Sequence, residues 1–173
     1  MKMHKLMFLL AVFIGVAIPY SHGADANKPA AVLELKKEPK LSVEAIGAIR
    51  YNDLKGPGDY GAGADFGYQF NKYVTGHVRL LAYETDNWRG SAIDEGALLV
   101  EAKLLRSANG KLSLSAIGGA HRDIARDDWG FGVGLRGVAN IYKTLSAFAG
   151  GEIRAWFDQP KDGLITAGLQ FGF

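Results

Sequence analysis

Apolar and polar residues alternate with a period of two through most of the chain that follows residue 40. In the final stretch, GLITAGLQFGF, every second residue from position 165 onward is apolar. Successive side chains of an extended chain point to opposite faces, so these apolar residues share one face of a strand. The pattern therefore predicts a closing strand whose apolar face continues to the last residue, Phe173.

Seven further segments show the same alternation before this one. They span residues 41–52, 59–71, 73–84, 93–106, 111–122, 129–141 and 145–157. Turn sequences such as Asn71-Lys72 and Ala108-Asn109-Gly110 separate some of them. The connections near 71, 107–110 and 142–144 are short, whereas those near 52–58, 85–92, 123–128 and 158–162 are longer. Long and short connections at opposite ends predict an all-β fold, an eight-stranded antiparallel up-and-down β-barrel.

The polar faces of these segments decide which way the barrel faces. A soluble barrel would turn its apolar faces inward around a ligand, whereas a transmembrane β-barrel turns them toward lipid. Glycine weakens a water-facing strand and has no side chain to shield its surface, but it fits the crowded interior of an eight-stranded barrel. Ten glycines occupy the polar faces, which favours the transmembrane orientation: Gly61, Gly63, Gly67, Gly119, Gly130, Gly132, Gly134, Gly150, Gly168 and Gly172.

The charges on the polar faces are balanced, with five acids and five bases. A buried charge without a partner costs several kcal/mol, so balance is what a nearly dry lumen requires. With two histidines, the predicted polar network of the lumen comprises Glu44, Arg50, Asp65, His77, Arg79, Glu95, Glu101, Lys103, His121, Arg136, Glu152 and Arg154. We expect a plug of ion pairs, and the alternative that these charges lie on a solvated face stays open.

Aromatic residues cluster near the strand ends, as in the girdles that mark the two boundaries of a lipid layer. Those toward the longer connections are Tyr51, Tyr60, Trp88, Trp129 and Phe157. Those toward the short turns are Phe70, Tyr73, Tyr142, Phe171 and Phe173. The pattern predicts that these rings lie at the membrane interfaces.

The first 23 residues have the three-part layout of a secretory signal peptide: Lys2 and Lys5, an apolar run, then small residues. A retained membrane anchor is the alternative. Residues 24–40 are predicted to form a periplasmic N-terminal tail, and residues 41–173 the barrel. The chain has 20 Lys and Arg against 18 Asp and Glu, and the leader holds two of the lysines, so the remainder is neutral. Nucleic-acid binding therefore has no electrostatic basis, and the absence of cysteine excludes disulfides.

Residues 41–173, together with the signal peptide and the terminal LQFGF, resemble the small eight-stranded outer-membrane β-barrel proteins of Gram-negative bacteria, the class typified by outer membrane proteins A and X. The resemblance implies a monomer in the cell outer membrane, in contact with outer-membrane lipid and lipopolysaccharide. It also implies that the barrel assembly machinery recognises the closing strand through Leu169, Phe171 and Phe173.

For function, we favour a structural or envelope-maintenance role over three alternatives. These are a lipid-A-modifying enzyme, a narrow porin-like channel, and a periplasmic lipocalin-like carrier of an apolar ligand. The deacylases of this class use a His-x-Ser pair, which neither His77 nor His121 matches. Ser115 and His121 are six strand residues apart, roughly 20 Å, which is too far for proton transfer. We therefore predict no catalytic residue, no cofactor and no metal site.

Overall fold

The computed structural model describes residues 40–52, 57–84 and 93–173. The predicted signal peptide, the tail up to residue 39 and Trp88 lie outside the described residues. Among the residues that are described, no helix is long and apolar enough to cross a membrane.

The described residues form eight β-strands. They are β1 (Leu41–Asn52), β2 (Pro57–Gln69), β3 (Val74–Glu84), β4 (Glu95–Arg106), β5 (Leu112–Asp123), β6 (Asp128–Tyr142), β7 (Leu145–Trp156) and β8 (Asp162–Gly172). The bounds lie within two residues of those predicted from the alternation. The reason is that one face of every strand lines the lumen and the other forms the outer surface of the barrel, so polar and apolar residues alternate along the whole strand.

Each strand pairs antiparallel with the next, and β8 pairs with β1, so the sheet closes into a barrel. At the closing seam Ser42 is opposite Gly172 and Asn52 is opposite Asp162. Closure leaves no unpaired edge for another chain to join. The predicted fold class, an eight-stranded antiparallel barrel, is confirmed.

The two ends of the barrel are distinguished by their connections. At the terminal end, where β1 begins and β8 ends, the connections are 70–73, 107–111 and 143–144. The opposite, or loop end is where β1, β3, β5 and β7 finish. There the structure departs from prediction at two places, because only residues 53–56 lie between β1 and β2, and only residues 124–127 lie between β5 and β6.

The barrel is apolar outside and largely polar inside. Large apolar side chains such as Phe66, Leu98 and Ile153 are half exposed or more on the outer wall, while the buried inward positions hold most of the charged residues of the strands. An apolar outer band over a polar interior is the arrangement of a transmembrane barrel. The strands therefore have the residue pattern of membrane-spanning strands.

Apolar residues also face inward, which the prediction of a polar lumen did not include. One cluster contains Ile46, Ala48, Leu81, Tyr83, Phe148 and Leu164. A smaller one contains Ala97, Leu99 and Ile117. The lumen is thus a mixed core, in which apolar side chains separate and desolvate the charged groups.

Inward glycines make room for the large side chains of the lumen. A methyl group on Gly132 would lie 2.7 Å from His121 Nε2, and one on Gly61 would lie 2.7 Å from Tyr83 Cδ1. Such distances are well inside van der Waals contact, so the ring of each neighbour occupies the space that a Cβ would need. These glycines are therefore part of the packing of the interior.

Candidate functional site in the barrel lumen

The terminal-end half of the lumen is organised around His77, which lies between two carboxylates. His77 Nδ1 is 2.9 Å from Asp65 Oδ1, and its Nε2 is 3.2 Å from Glu101 Oε2. The three residues come from adjacent strands, β2, β3 and β4, and all face inward. Because each ring nitrogen faces a carboxylate oxygen, the imidazole is fixed in orientation by contacts on both sides.

Arg136, on β6, joins this group to β1. Its Nη2 donates to Glu44 Oε1 at 2.6 Å, and its Nε lies 3.6 Å from Glu101 Oε2. Gln170 Nε2 also donates to Glu44 Oε1, at 3.0 Å. Arg136 further stacks on the ring of Phe148, 4.1 Å from its centroid. One guanidinium thus ties β6 to both β1 and β4 across the lumen.

The loop-end half repeats the same arrangement around His121. Its Nδ1 is 3.0 Å from Glu95 Oε1, and its Nε2 is 3.4 Å from Glu152 Oε2. Arg154 donates to Glu95 at 2.6 Å and, through Nε, to Asp162 Oδ1 at 2.7 Å. The Tyr83 hydroxyl donates to Glu95 Oε2 at 3.0 Å. Two carboxylates again flank a histidine, and an arginine again balances them.

Arg79 connects the two halves. Its Nε donates to Asp65 Oδ2 at 3.2 Å, while its Nη1 donates to Glu152. Arg79 is on β3 and Glu152 is on β7, so this pair spans the barrel between opposite walls. The two histidine groups therefore belong to one continuous network, and both residues of the connecting pair are almost fully buried.

Arg50 closes the loop end of the lumen. Its guanidinium donates to Asp59 Oδ2 at 2.6 Å and to Asp123 Oδ2 at 3.4 Å, and it lies over the Tyr83 ring. The pair with Asp123 joins β1 to β5, which are again opposite walls. Arg50 thereby covers the loop-end group from the side of the longer connections.

Of the twelve residues predicted for the lumen network, the structure buries eleven. Lys103 differs: it lies beside an irregularity in the β4–β5 pairing and is partly exposed near the terminal end. The prediction also missed residues that the structure places in the network, namely Asp59, Tyr83, Asp123, Asp162 and Gln170. Their positions have the inward parity, which was the available signal, but most lie at strand ends, where loop and strand are hardest to separate.

A metal site is not what this arrangement favours. Ligand atoms of Glu44, Asp65 and His77 lie within 4.8 Å of one another. Arg136 and Arg79 already donate to the two carboxylates. A cation would therefore add positive charge beside two guanidinium groups, and the carboxylates would have to exchange one partner for another.

A serine hydrolase arrangement is not favoured either. Both ring nitrogens of His121 face carboxylates, Glu95 and Glu152. Neither nitrogen is left to accept a proton from Ser115. The geometry of the lumen suits the mutual neutralisation of fixed charges, not the transfer of a proton to a substrate.

The aromatic residues predicted for the interfaces lie on the outer wall. Tyr60, Trp129 and Phe157 are at least half exposed near the loop end, and Tyr51 there is half-buried. Phe70, Tyr73, Tyr142, Phe171 and Phe173 are exposed near the terminal end. Leu169, the remaining residue of the predicted assembly signal, is also exposed, and with Phe171 it continues the apolar outer face of β8.

The exposed charges are distributed unequally between the two ends. Among the described residues, those near the terminal end are all basic: Lys40, Lys72, Lys103, Arg106, Lys111 and Lys143. Near the loop end the exposed or partly exposed acids are Asp59, Glu84, Asp94, Asp127 and Asp158, and the exposed or partly exposed bases are Arg122, Arg126 and Lys161. Among the described residues, the surface is thus basic at the terminal end and has more acids than bases at the loop end.

Together, the closed antiparallel sheet, the apolar outer wall and the charged lumen define a small eight-stranded transmembrane β-barrel of the outer-membrane type. No family model and no curated protein matches the sequence.

Three solved structures have a similar fold. One is a designed transmembrane barrel, TMB2.3, which has 15% identity and a TM-score of 0.49 and is matched over 80% of this chain and 98% of that one. Ail, the attachment invasion locus protein of Yersinia pestis, has 17% identity and a TM-score of 0.46 over 79% and 98%. Neisserial surface protein A has 16% identity and a TM-score of 0.49 over 77% and 96%.

Proposed function

We propose that this protein is a structural component of the outer membrane, a barrel that contributes to the cell envelope and whose lumen is closed by its own ion pairs. The observation that carries the proposal is the pairing of opposite walls by buried charges. Arg79 reaches Glu152, and Arg50 reaches Asp123, in each case from one side of the barrel to the other.

Such pairs fill the space through which a solute would pass. Each guanidinium and carboxylate has been removed from water, and separating the members of a pair would leave uncompensated buried charge. The apolar clusters around Leu81 and Leu99 occupy part of the remaining lumen. A lumen occupied by ion pairs and apolar side chains supports a structural role better than it supports conduction, and the apolar outer wall is poorly suited to a soluble carrier.

The proposed orientation follows from the connections. Outer-membrane barrels place short turns in the periplasm and longer loops outside the cell. The two-residue turn 143–144 is at the terminal end, and the connection between β3 and β4, residues 85–94, is at the loop end. The terminal end therefore faces the periplasm, on the side of the proposed tail, and export depends on the signal peptide at residues 1–23.

The proposed partners are the lipids of the membrane and the machinery that inserts barrels into it. The exposed rings at both ends suit the polar boundaries of a lipid layer. The outer face of β8, with Leu169, Phe171 and Phe173, provides the apolar closing strand that we propose the assembly machinery recognises. The proposed contact with lipopolysaccharide is at the loop end, which faces the outer leaflet in this orientation.

Cell fractionation tests the location, and electrophoresis of the unheated protein tests the barrel. We expect the protein in the outer-membrane fraction, with different mobility before and after boiling, because a closed barrel resists detergent until it is heated. Recovery in the soluble periplasmic extract would contradict the proposal and favour a carrier.

Planar bilayer recordings test whether the lumen is closed. We expect no discrete conductance steps from the wild-type protein. We expect steps from a variant in which Arg79 and Glu152 are both replaced by alanine, because that pair bridges the lumen at its middle. Steps of equal size from both proteins would identify a channel instead of a closed barrel.

A further inference from the structure

The basic terminal end is a second surface with its own chemistry. No Asp or Glu occurs in the segments that form it, residues 40–43, 69–75, 103–113, 139–147 and 170–173. The bases are spread around the rim: Lys40 precedes β1, Lys72 lies between β2 and β3, Lys111 precedes β5, and Lys143 lies between β6 and β7. A charge distributed in this way fits many small anions around a ring better than one anion in a pocket.

The lysines of this rim are available for an external partner. Among the described residues, Lys40, Lys72, Lys111 and Lys143 form no ion pair with a carboxylate, and all four are exposed. The loop end differs, because its arginines are used internally. There Arg122 pairs with Asp127, and Arg126 lies 4.0 Å from Asp123.

Two lysines are placed against interface tyrosines. Lys72 Nζ lies 4.8 Å from the centre of the Tyr73 ring, and Lys143 Nζ lies 5.9 Å from that of Tyr142. Both rings are exposed on the outer wall. Tyrosine prefers the boundary between the apolar and polar parts of a lipid layer, so the adjacent ammonium groups are held at the depth of the lipid headgroups.

We propose that this rim binds the phosphate groups of anionic phospholipids in the leaflet that surrounds it. The ammonium group of lysine is a compact point charge that pairs well with phosphate. A headgroup with a net negative charge is preferred over a zwitterionic one, because the amine of the latter offsets its phosphate. Basic residues near an anionic lipid surface add their attractions approximately independently. The proposal rests on the membrane-spanning placement under the proposed function and adds the class of lipid to it.

The test is electron spin resonance of spin-labelled lipids around the reconstituted mature barrel. The protein is placed in phosphatidylcholine vesicles that contain a trace of spin-labelled phosphatidylglycerol or spin-labelled phosphatidylcholine. The motionally restricted fraction of the signal reports the lipid in contact with the protein. We expect about a threefold preference for phosphatidylglycerol at low salt, declining as sodium chloride screens the rim.

A triple variant, K72Q/K111Q/K143Q, leaves only Lys40, Lys103 and Arg106 among the bases described at this end and should reduce the preference to below about twofold. The matched control is R122Q/R126Q/K161Q, which removes the same number of bases from the loop end and should retain the preference. Heat-dependent gel mobility verifies that both variants are folded. Since all the changed residues are in connections or at strand ends, we expect both to form barrels.

The measurement distinguishes a failure of the proposed lipid preference from a failure of the proposed membrane placement. No preference in the wild type, preference retained in K72Q/K111Q/K143Q, or equal loss in both variants would overturn the lipid preference of the rim. In those cases a restricted lipid component would still show a barrel in the bilayer. Absence of any restricted component would instead overturn the membrane placement, and with it the proposed function.

Discussion

The inner and outer walls of this barrel are made by alternate residues of the same strands, yet they depend on different physics. On the inner wall, groups such as Arg154 and Glu95 each have specific partners at short distance. On the outer wall, residues such as Leu98 and Val133 need only be apolar, because lipid tails contact them without directional bonds. The stability cost of a substitution should therefore depend on the lost ionic partners at an inward position. At an outward position it should depend on the polarity of the new side chain and its depth in the bilayer.

Removal of a lumen guanidinium should have the largest effect. Arg154→Met leaves the carboxylates of Glu95 and Asp162 buried without their main cation, so we expect a loss of about 3–5 kcal/mol in the free energy of unfolding. Urea unfolding of the barrel in lipid vesicles, followed by tryptophan fluorescence, measures it. A loss below that of the outer-wall variants described next would contradict the comparison.

A charge placed on the outer wall should come second. Val100 is exposed in the middle of β4, and Val100→Arg should cost about 2–4 kcal/mol, because a guanidinium near the bilayer midplane is poorly solvated. The matched control, Leu104→Arg, lies on the same strand and outer wall but near the terminal end, where the expected cost is about 0–1 kcal/mol. Equal costs in the same unfolding measurement would mean that the outer wall does not face lipid.

The glycines allow the two walls to be compared with one small change. Gly132→Ala adds a methyl group 2.7 Å from His121 Nε2 and 3.1 Å from Arg154 Cγ, so we expect a loss of about 1–3 kcal/mol from overpacking. At Gly151, on the outer wall, the same methyl group would meet only the carbonyl oxygen of Leu164, at 3.9 Å. Gly151→Ala should therefore leave the unfolding midpoint unchanged. A larger loss of unfolding free energy from Gly151→Ala than from Gly132→Ala would mean that the outer wall is the more tightly packed of the two.

The smallest effect should come from an exposed ion pair. Arg122 pairs with Asp127, whose side chain is 85% exposed. Arg122→Met should cost at most about 1 kcal/mol, because solvent already screens both charges. The change is chemically the same as Arg154→Met, so the difference between the two losses in unfolding free energy reflects burial and the second carboxylate that Arg154 pairs with.

The alternation of residue types was sufficient to predict the strands. In β2, for example, Asp65 and Gly67 alternate with Ala64, Phe66 and Tyr68. Only an extended strand places all the polar residues of such a segment on one face and all its apolar residues on the other, so the strand is predicted without knowledge of its neighbours.

The contents of the lumen were less predictable. Ile46, Leu81 and Phe148 have inward parity but an apolar character that suits the lipid wall equally well, so residue type gave no sign that they pack together inside. The pairs across the lumen could not be predicted either. That Arg79 meets Glu152 depends on the stagger of the strands in the closed barrel, which places particular levels of β3 and β7 opposite each other.

The seam between β1 and β8 has a consequence for the order of folding. It pairs Ser42 with Gly172, residues from the two extremes of the barrel sequence. Contacts between such distant residues form slowly, because closing a long loop costs conformational entropy before the contacts can offset that loss. The bond from Gln170 to Glu44 crosses this seam. Glu44 therefore obtains its complete set of partners only in the last step of closure, and until then the chain must keep that carboxylate in contact with water.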